Sequence, residues 1–374
     1  MRCVPLFDLS PIHEGLHDQF LDACNAIIHS GNFILGPTVE AFERSVAQSL
    51  GCKFALGVSS GSDALLLALM ALDIQTGDEI LCPSFTFFAT ASCVARLGAT
   101  PVWVDVCAED FGIDVKDAER KVSSKTKAII PVHMFGQCCD CQAIQSFAQR
   151  HKLWIVEDVA QAQGAQYDQR QVGSWGTIGA FSFFPTKNLG GLGDGGLVAT
   201  NDIKLAEKVR CLRVHGAVQK YEHIYLGGNF RMDSLQAALL NVKLPHVNDY
   251  IQQRRRNAQF YQQQLGPLEP LITLPKELPS RYHTWNQYTV CVHNDQRNAL
   301  QSFLEEQGIG SAVYYPKTLD LQTCMRDVST DKGIATHGAH TLANEVLSLP
   351  IYPGLTLEQL EYICTTIRRF FEKQ

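Results

Sequence analysis

Lys187 stands in FSFFPTKNLGGLGDGG, after a very apolar run and between Pro185 and a glycine-rich loop. A lysine used for Schiff-base chemistry needs its amine partly shielded from water, because desolvation and neighbouring charge lower its pKa and free the lone pair. The position suits that use; it equally suits a lysine that only snorkels from a strand end. Upstream, the apolar run of WIVEDVAQAQGA closes with Glu157 and Asp158, which point to opposite faces of a strand, so only one can enter a given pocket. Asp158 there can partner a cation, such as the protonated nitrogen of a pyridine ring serving as an electron sink. Its plainer use is to cap the next helix, with Gln161 merely solvated. In VSSGSDALLLAL, residues Ser59, Ser60, Gly61, Ser62 and Asp63 lead from a strand into a helix. Small hydroxyl residues and a glycine let a phosphate approach the N–H groups and positive end of that helix, although the same residues make a routine N-cap without a ligand. Ser182 adds a hydroxyl close before Lys187, and Phe87 of PSFTFF can stack on a flat ring or sit in the core.

Seven short, β-branched runs must carry these groups: FALGVSS, EILCPSF, TPVWVDV, AIIPVHMFG, LWIVEDVA, GAFSFF and GGLVAT. Amphipathic segments such as DALLLALMAL, FFATASCVARLG and CQAIQSFAQRHK separate most of them and are long enough to cross back over a sheet. The pattern predicts an α/β fold with a mainly parallel, seven-stranded sheet and helices on both faces. Ligands of such sheets bind beyond the carboxyl ends of the strands, where Ser59 to Asp63, Phe85 to Phe87, His133, Asp158 and Lys187 all fall. Gly191, Gly193 and Gly196 match a G-x-G-x-x-G spacing, but LVAT follows them where a dinucleotide site needs a helix. Beyond LAEKVRCLRVHG the alternation lapses into a loop, Ala217 to Phe230, then a polar helical stretch from about Asp233 to Leu265 interrupted at Pro245. The expected division is a large domain over 1–245, with an N-terminal helical segment, and a smaller α+β domain over 246–374 that contains QYTVCV, SAVYYP and LEQLEYICTTIRRFFEK.

Composition narrows the function. The chain has 374 residues, 45% hydrophobic and 19% charged, enough apolar surface for a large core. A net charge of -6 with scattered Lys and Arg provides no basic face for phosphate rows, so nucleic acid is not an expected partner. The run Ala64 to Leu72 is far short of the roughly 20 residues that span a membrane, and Pro83, Gly98 and Pro101 break the stretch from Ile80 to Val104. MRCVPLFDLSPIHEG lacks the features of a signal peptide, and 13 cysteines, an odd number, fit reduced thiols; a cytoplasmic location is expected. Cys138, Cys139 and Cys141 read as small packing residues, and no metal site is expected.

Taken in order, the motifs resemble the DegT family of nucleotide-sugar aminotransferases, pyridoxal phosphate enzymes of the aspartate aminotransferase fold, fold type I. The resemblance starts at Gly36 and Pro37 of FILGPTVEAFE. It continues through SGSDAL, PSFTFFATA, PVHMFGQ, EDVAQAQGA and FSFFPTKNLGGLGDGG, and ends with GGNFRMDSLQAAL and SLPIYP. It implies pyridoxal 5'-phosphate as cofactor, with pyridoxamine 5'-phosphate as its intermediate form. Lys187 is then the residue bound to the cofactor and the proton shuttle, Asp158 the partner of the pyridine nitrogen, and Gln161 a neighbour of the ring. Gly61, Ser62 (usually threonine in the family) and Ser182 are implied on the phosphate, with Asp63 beside them, and Phe87 as the stacking aromatic. Asn229 is implied to reach the phosphate from a neighbouring subunit of a homodimer, and Arg231, Tyr314 and Tyr315 to meet substrate. Read without the family, GGNFRMD is a surface loop whose Asn caps the helix starting near Asp233.

The implied reaction moves an amino group from L-glutamate to a keto group of a nucleotide-linked sugar, a unit used for lipopolysaccharide or other surface glycans. A dehydratase of the same family would carry histidine in place of Lys187, and a non-catalytic sensor would be expected to have lost Lys187 or Asp158; both residues are present. The loop RVHGAVQKYEHIYLGGNFRMD, with QYTV and SAVYYP, is most similar to members that aminate C3 of UDP- or dTDP-linked 3-keto sugars, UDP-3-oxo-hexuronates included; amination at C4 is the alternative. Many relatives have His-Tyr-Pro and Pro-Leu-His where this chain has Tyr314, Tyr315, Pro316 and then Thr318, Leu319, Asp320, so its sugar contacts are expected to differ.

Overall fold

Each of the seven apolar runs becomes a strand of one sheet in the computed structural model, which describes residues 3–328 and 336–372. The strands are β1 (Phe54–Val58), β2 (Glu79–Pro83), β3 (Thr100–Val104), β4 (Thr126–Ile129), β5 (Trp154–Asp158), β6 (Ile178–Ser182) and β7 (Gly196–Thr200). Their order is β1-β7-β6-β5-β4-β2-β3. The pairs from β6 to β3 are parallel, whereas β7 runs antiparallel to both β6 and β1. A strand that reverses needs no crossover helix, so the β6–β7 link that carries Lys187 stays at the carboxyl end of β6.

Alternation along the strands loads both faces. In β2, Ile80 and Cys82 join one core and Leu81 the other. Helices α1 (Pro37–Leu50), α2 (Gly61–Ala71), α3 (Ala89–Arg96), α4 (Cys141–His151), α5 (Ile203–Leu212) and α6 (Ser234–Lys243) cover the sheet. Residues of α2, α3 and α5 pack on the Ile80 face, and those of α1, α4 and α6 on the opposite one. Helix α2 is apolar all round from Ala64 to Leu69 because it is enclosed on every side. Pro245 falls in a single 3₁₀ turn, Leu244–His246, that separates α6 from α7 (Val247–Leu265), as its missing N–H requires. The expected loop Ala217 to Phe230 contains a short antiparallel ladder, Ala217–Gln219 with Glu222–His223.

A second, antiparallel sheet joins β8 (Ile272–Thr273), β9 (Tyr288–Val292) and β10 (Val346–Leu349). Its core includes Tyr261, Tyr288, Leu347 and Ile363, the last from α8 (Leu357–Glu372). Val4 also enters this core, and its backbone exchanges hydrogen bonds of 2.8 Å with Gly308 and Gly310. Cys138 and Cys139 are buried, and their thiols donate to the Gln166 and Val132 carbonyls at 3.2 and 3.0 Å. No described helix is long and apolar enough to cross a membrane.

Candidate active site

Parallel strands bring their carboxyl ends to one side, and the side chains there enclose a cavity of about 390 Å³. β1 and α2 supply Ser60, Gly61 and Ser62; the segment after β2 supplies Thr86 and Phe87; β5 supplies Asp158, with Gln161 just beyond. β6 and the link to β7 supply Ser182, Thr186, Lys187 and Asp194, and the second sheet's unit adds Gln287, Tyr314 and Tyr315.

Period-two geometry leaves open which of two acids faces the cavity, and their partners settle it. Glu157 turns away: its carboxylate accepts from the Gly173 and Gly176 N–H groups at 2.8 and 2.5 Å and lies 2.9 Å from His133 Nε2. His133 Nδ1 accepts the Cys139 N–H at 3.2 Å, so Nε2 carries the proton that Glu157 receives. Asp158 faces the cavity, with Oδ1 accepting the Ala160 N–H at 3.1 Å and Oδ2 the Thr90 hydroxyl at 2.9 Å. Burial pushes the Asp158 carboxyl upward, while Ala160, Thr90, Lys187 and His133 hold it down. Lys187 is half-buried, and burial pushes its amine down to about 8, against the opposing pull of Asp158. An amine near neutrality and a shielded carboxylate on one cavity are the groups that imine chemistry on a ring cofactor needs.

The phosphate-type corner is built by close approach. A Cβ on Gly61 would lie 2.6 Å from Ser182 Cβ, and one on Gly196 would lie 2.3 Å from the Ser60 carbonyl oxygen. Only glycine at both places lets the start of α2 meet the ends of β6 and β7. Gly196, one of the three glycines of the false fingerprint, thus belongs to packing around this turn. Phe87 is 56% exposed on the cavity wall, not in the core, with its ring 6.1 Å from that of Tyr315. Gln161 Oε1 accepts the Phe135 N–H at 2.8 Å, and its Nε2 donates to Tyr315 Oη at 3.4 Å, fixing the amide in the wall. Burial pushes the Tyr314 and Tyr315 phenols upward, so both stand as neutral hydroxyls.

Three expected site residues lie outside this cavity. Asp63 accepts the Ser59 and Ser60 hydroxyls at 2.6 and 3.1 Å, holding the turn from behind. It lines a neighbouring hollow of about 390 Å³ together with Arg231 and Asp194. Asn229 is exposed, its backbone paired with Val214, and it does not cap α6, whose first turn has no side-chain cap bond. Sequence reading missed Thr90, which looks like one more small residue of an amphipathic helix; its only signal is a hydroxyl on a face that is otherwise apolar.

Fold and site together define an aminotransferase of the kind that works through pyridoxal 5'-phosphate. The chain belongs to the DegT/DnrJ/EryC1/StrS aminotransferase family, whose model matches residues 15–368. It is 42% identical over 367 residues to a UDP-N-acetyl-3-dehydro-alpha-D-glucosamine 3-aminotransferase of Acidithiobacillus ferrooxidans, covering 98% of this chain and 97% of that one. It is 45% identical over 369 residues to a protein of Geobacillus stearothermophilus named a pleiotropic regulatory protein, covering 98% of each. The crystal structure of S. venezuelae DesV in complex with a ketimine intermediate is similar with a TM-score of 0.95 and 38% identity, covering 99% of both chains. The cavity fits the cofactor: a softened lysine, a buried carboxylate and a glycine-opened helix terminus stand on one wall.

Proposed function

We propose that the protein transfers an amino group from L-glutamate to the C3 keto group of a nucleotide-linked sugar, for surface polysaccharide or lipopolysaccharide synthesis in the cytoplasm. The observation that carries this reading is the meeting of Lys187 and Asp158 on one cavity beside the open start of α2. The similarity to the UDP-linked 3-aminotransferase points to C3. Bound pyridoxal phosphate supplies an electron sink for negative charge at the amine-bearing carbon. Lys187 Nζ would anchor it and, once the donor amine has displaced it, would be free to take and return the proton of that carbon. Asp158 would keep the ring nitrogen protonated, and Gln161 and Phe87, on the same cavity, would help to confine the ring. The Gly61 and Ser62 N–H groups and Ser182 Oγ would hold the phosphate. Tyr314 and Tyr315 meet the sugar with neutral hydroxyls.

We place the boundary of the two domains at 245/246, with the cleft between them closed by Gln287, Tyr314 and Tyr315. The working unit is a homodimer in which Asn229 and Arg231 enter the partner's site. Its support is a set of exposed apolar side chains on the N-terminal helix, the next turn and the 217–226 hairpin, including Ile28, Phe33, Ile34, Tyr221 and Leu226. A second copy of the chain would cover them.

The regulatory name of one relative favours a second reading, a sensor that binds the cofactor without turnover. One experiment separates the two. Protein loaded with cofactor should absorb at roughly 410 to 430 nm. Glutamate should bleach the band, and 3-keto nucleotide sugars, in a panel with 4-keto ones, should restore it. A band untouched by glutamate would establish the sensor.

A further inference from the structure

Asp158 is one of the most shielded acids in the molecule, 5% exposed, and its two oxygens are treated differently. Oδ1 takes a backbone N–H, and Oδ2 takes Thr90 Oγ1, which is wholly buried in the first turn of α3. Thr90 Oγ1 is also 3.2 Å from Thr86 Oγ1. A carboxylate only accepts, and a hydroxyl has one proton. With that proton committed to Asp158, the contact between the two threonines is a donation from Thr86 to Thr90. Two hydroxyls in series polarise one another, so the last bond to the carboxylate is stronger than an isolated one. The chain of donors starts on the cavity wall, where Thr86 stands, and ends on the acid.

We propose that Thr90 is the positioning residue of Asp158: with Thr86 behind it, its hydroxyl fixes Oδ2 and keeps the buried carboxylate ionised toward the ring nitrogen of the cofactor. The inference rests on the cofactor reading above and goes beyond it by assigning the control of Asp158 to residues that do not touch the ring. Burial alone favours a neutral Asp158, which cannot hold a pyridinium. Of the groups that oppose burial, Thr90 is the one side chain that hydrogen-bonds the carboxylate, beside the Ala160 N–H and the more distant Lys187 and His133.

Thr90→Val keeps the branched shape and removes the hydroxyl; Thr90→Ser keeps the hydroxyl and removes the methyl. Each variant is loaded with cofactor labelled with ¹⁵N in the ring, and the ring-nitrogen chemical shift is measured beside cofactor Kd, kcat and KM. Thr90→Val should move the ring nitrogen toward the free-pyridine position and weaken cofactor binding about tenfold. It should cut kcat about 10- to 100-fold while KM for glutamate stays within about threefold. Thr90→Ser should restore most of the shift and affinity, and Thr86→Val should move the nitrogen the same way by less. A purely structural role predicts a lower Tm with the wild-type nitrogen signal, and that result overturns the proposal. Should Thr90→Val fail to fold, an unmoved nitrogen in Thr86→Val overturns it equally. A wild-type protein that binds no cofactor refutes the functional reading itself, and the inference falls with it.

Discussion

The strand-end wall and the 227–233 loop carry residues expected at one site, yet they are built in opposite ways. Asp158, Gln161 and Lys187 sit on or just after sheet strands and line the same cavity, with Asp158 and Gln161 each held by hydrogen bonds within the chain. Asn229 is exposed, and Arg231 faces a separate hollow. The difference matches the tasks: groups that set the charge of a reacting ring need a fixed, dry frame, whereas groups that finish a phosphate or substrate pocket can arrive from a second copy.

The sharpest way to break this contrast is to empty the wall. Lys187→Ala should abolish amino transfer down to background while leaving a folded protein, because among the described residues no other lysine lines the cavity. Borohydride reduction followed by mass spectrometry should find no cofactor attached. An attached cofactor in this variant would mean that another amine does the work.

Asp158→Asn comes next and should slow turnover by roughly two to three orders of magnitude, since an amide cannot hold the ring nitrogen protonated. Glu157→Gln serves as its internal control on the same strand. Glu157 binds two N–H groups and His133 on the far face, so its loss should lower Tm and leave kcat within about threefold. Reversed effects of the two substitutions would show that the wrong acid has been placed against the ring.

A third effect is about tenfold per pH unit. Burial lowers the Lys187 amine to about 8, so it loses its proton earlier on the way up in pH than an exposed lysine near 10.4. Only the neutral amine attacks an aldehyde, so the rate of cofactor capture by the apoprotein should climb about tenfold per unit up to pH 8 and flatten above it. Continued growth to pH 10, followed by absorbance, would indicate a lysine in contact with water.

Much of this was legible from residue types and spacing. β-branched runs and amphipathic crossovers named all seven sheet strands, and the rule that ligands sit past parallel strand ends located the cavity. Alternation along β5 said that Glu157 and Asp158 diverge but not which way, because direction depends on what Gly173, Gly176 and Thr90 bring from elsewhere in the chain. Thr90 was invisible for the same reason: a threonine on an apolar helix face acquires meaning only when α3 is laid against β5. The pairing of Val4 beside Ile309 left no local mark either, since an isolated bridge has no periodicity. Asp63 shows what motif reasoning leaves out: its place in SGSDAL fits a ligand, and the fold adds that one of its oxygens, Oδ2, accepts from the Ser59 and Ser60 hydroxyls of the same turn.

The smallest expected effect tests the loop, and it is a gain. If Asn229 and Arg231 serve the partner's cavity, an Asn229→Ala, Arg231→Ala chain and a Lys187→Ala chain are each inactive alone but complementary when mixed. In a mixed dimer, the site built on the intact Lys187 receives the intact loop, while the other site lacks both. Random exchange of equal amounts gives about half mixed dimers with one good site in two, so roughly a quarter of wild-type activity should return. If the loop serves its own subunit, the hollow that Arg231 shares with Asp63 and Asp194 is the place it acts, and mixing restores nothing. Native mass spectrometry on the same mixture shows whether exchange has occurred. Mixed dimers without recovered activity would move Asn229 and Arg231 out of the shared site, and recovery near one quarter would place the loop across the interface.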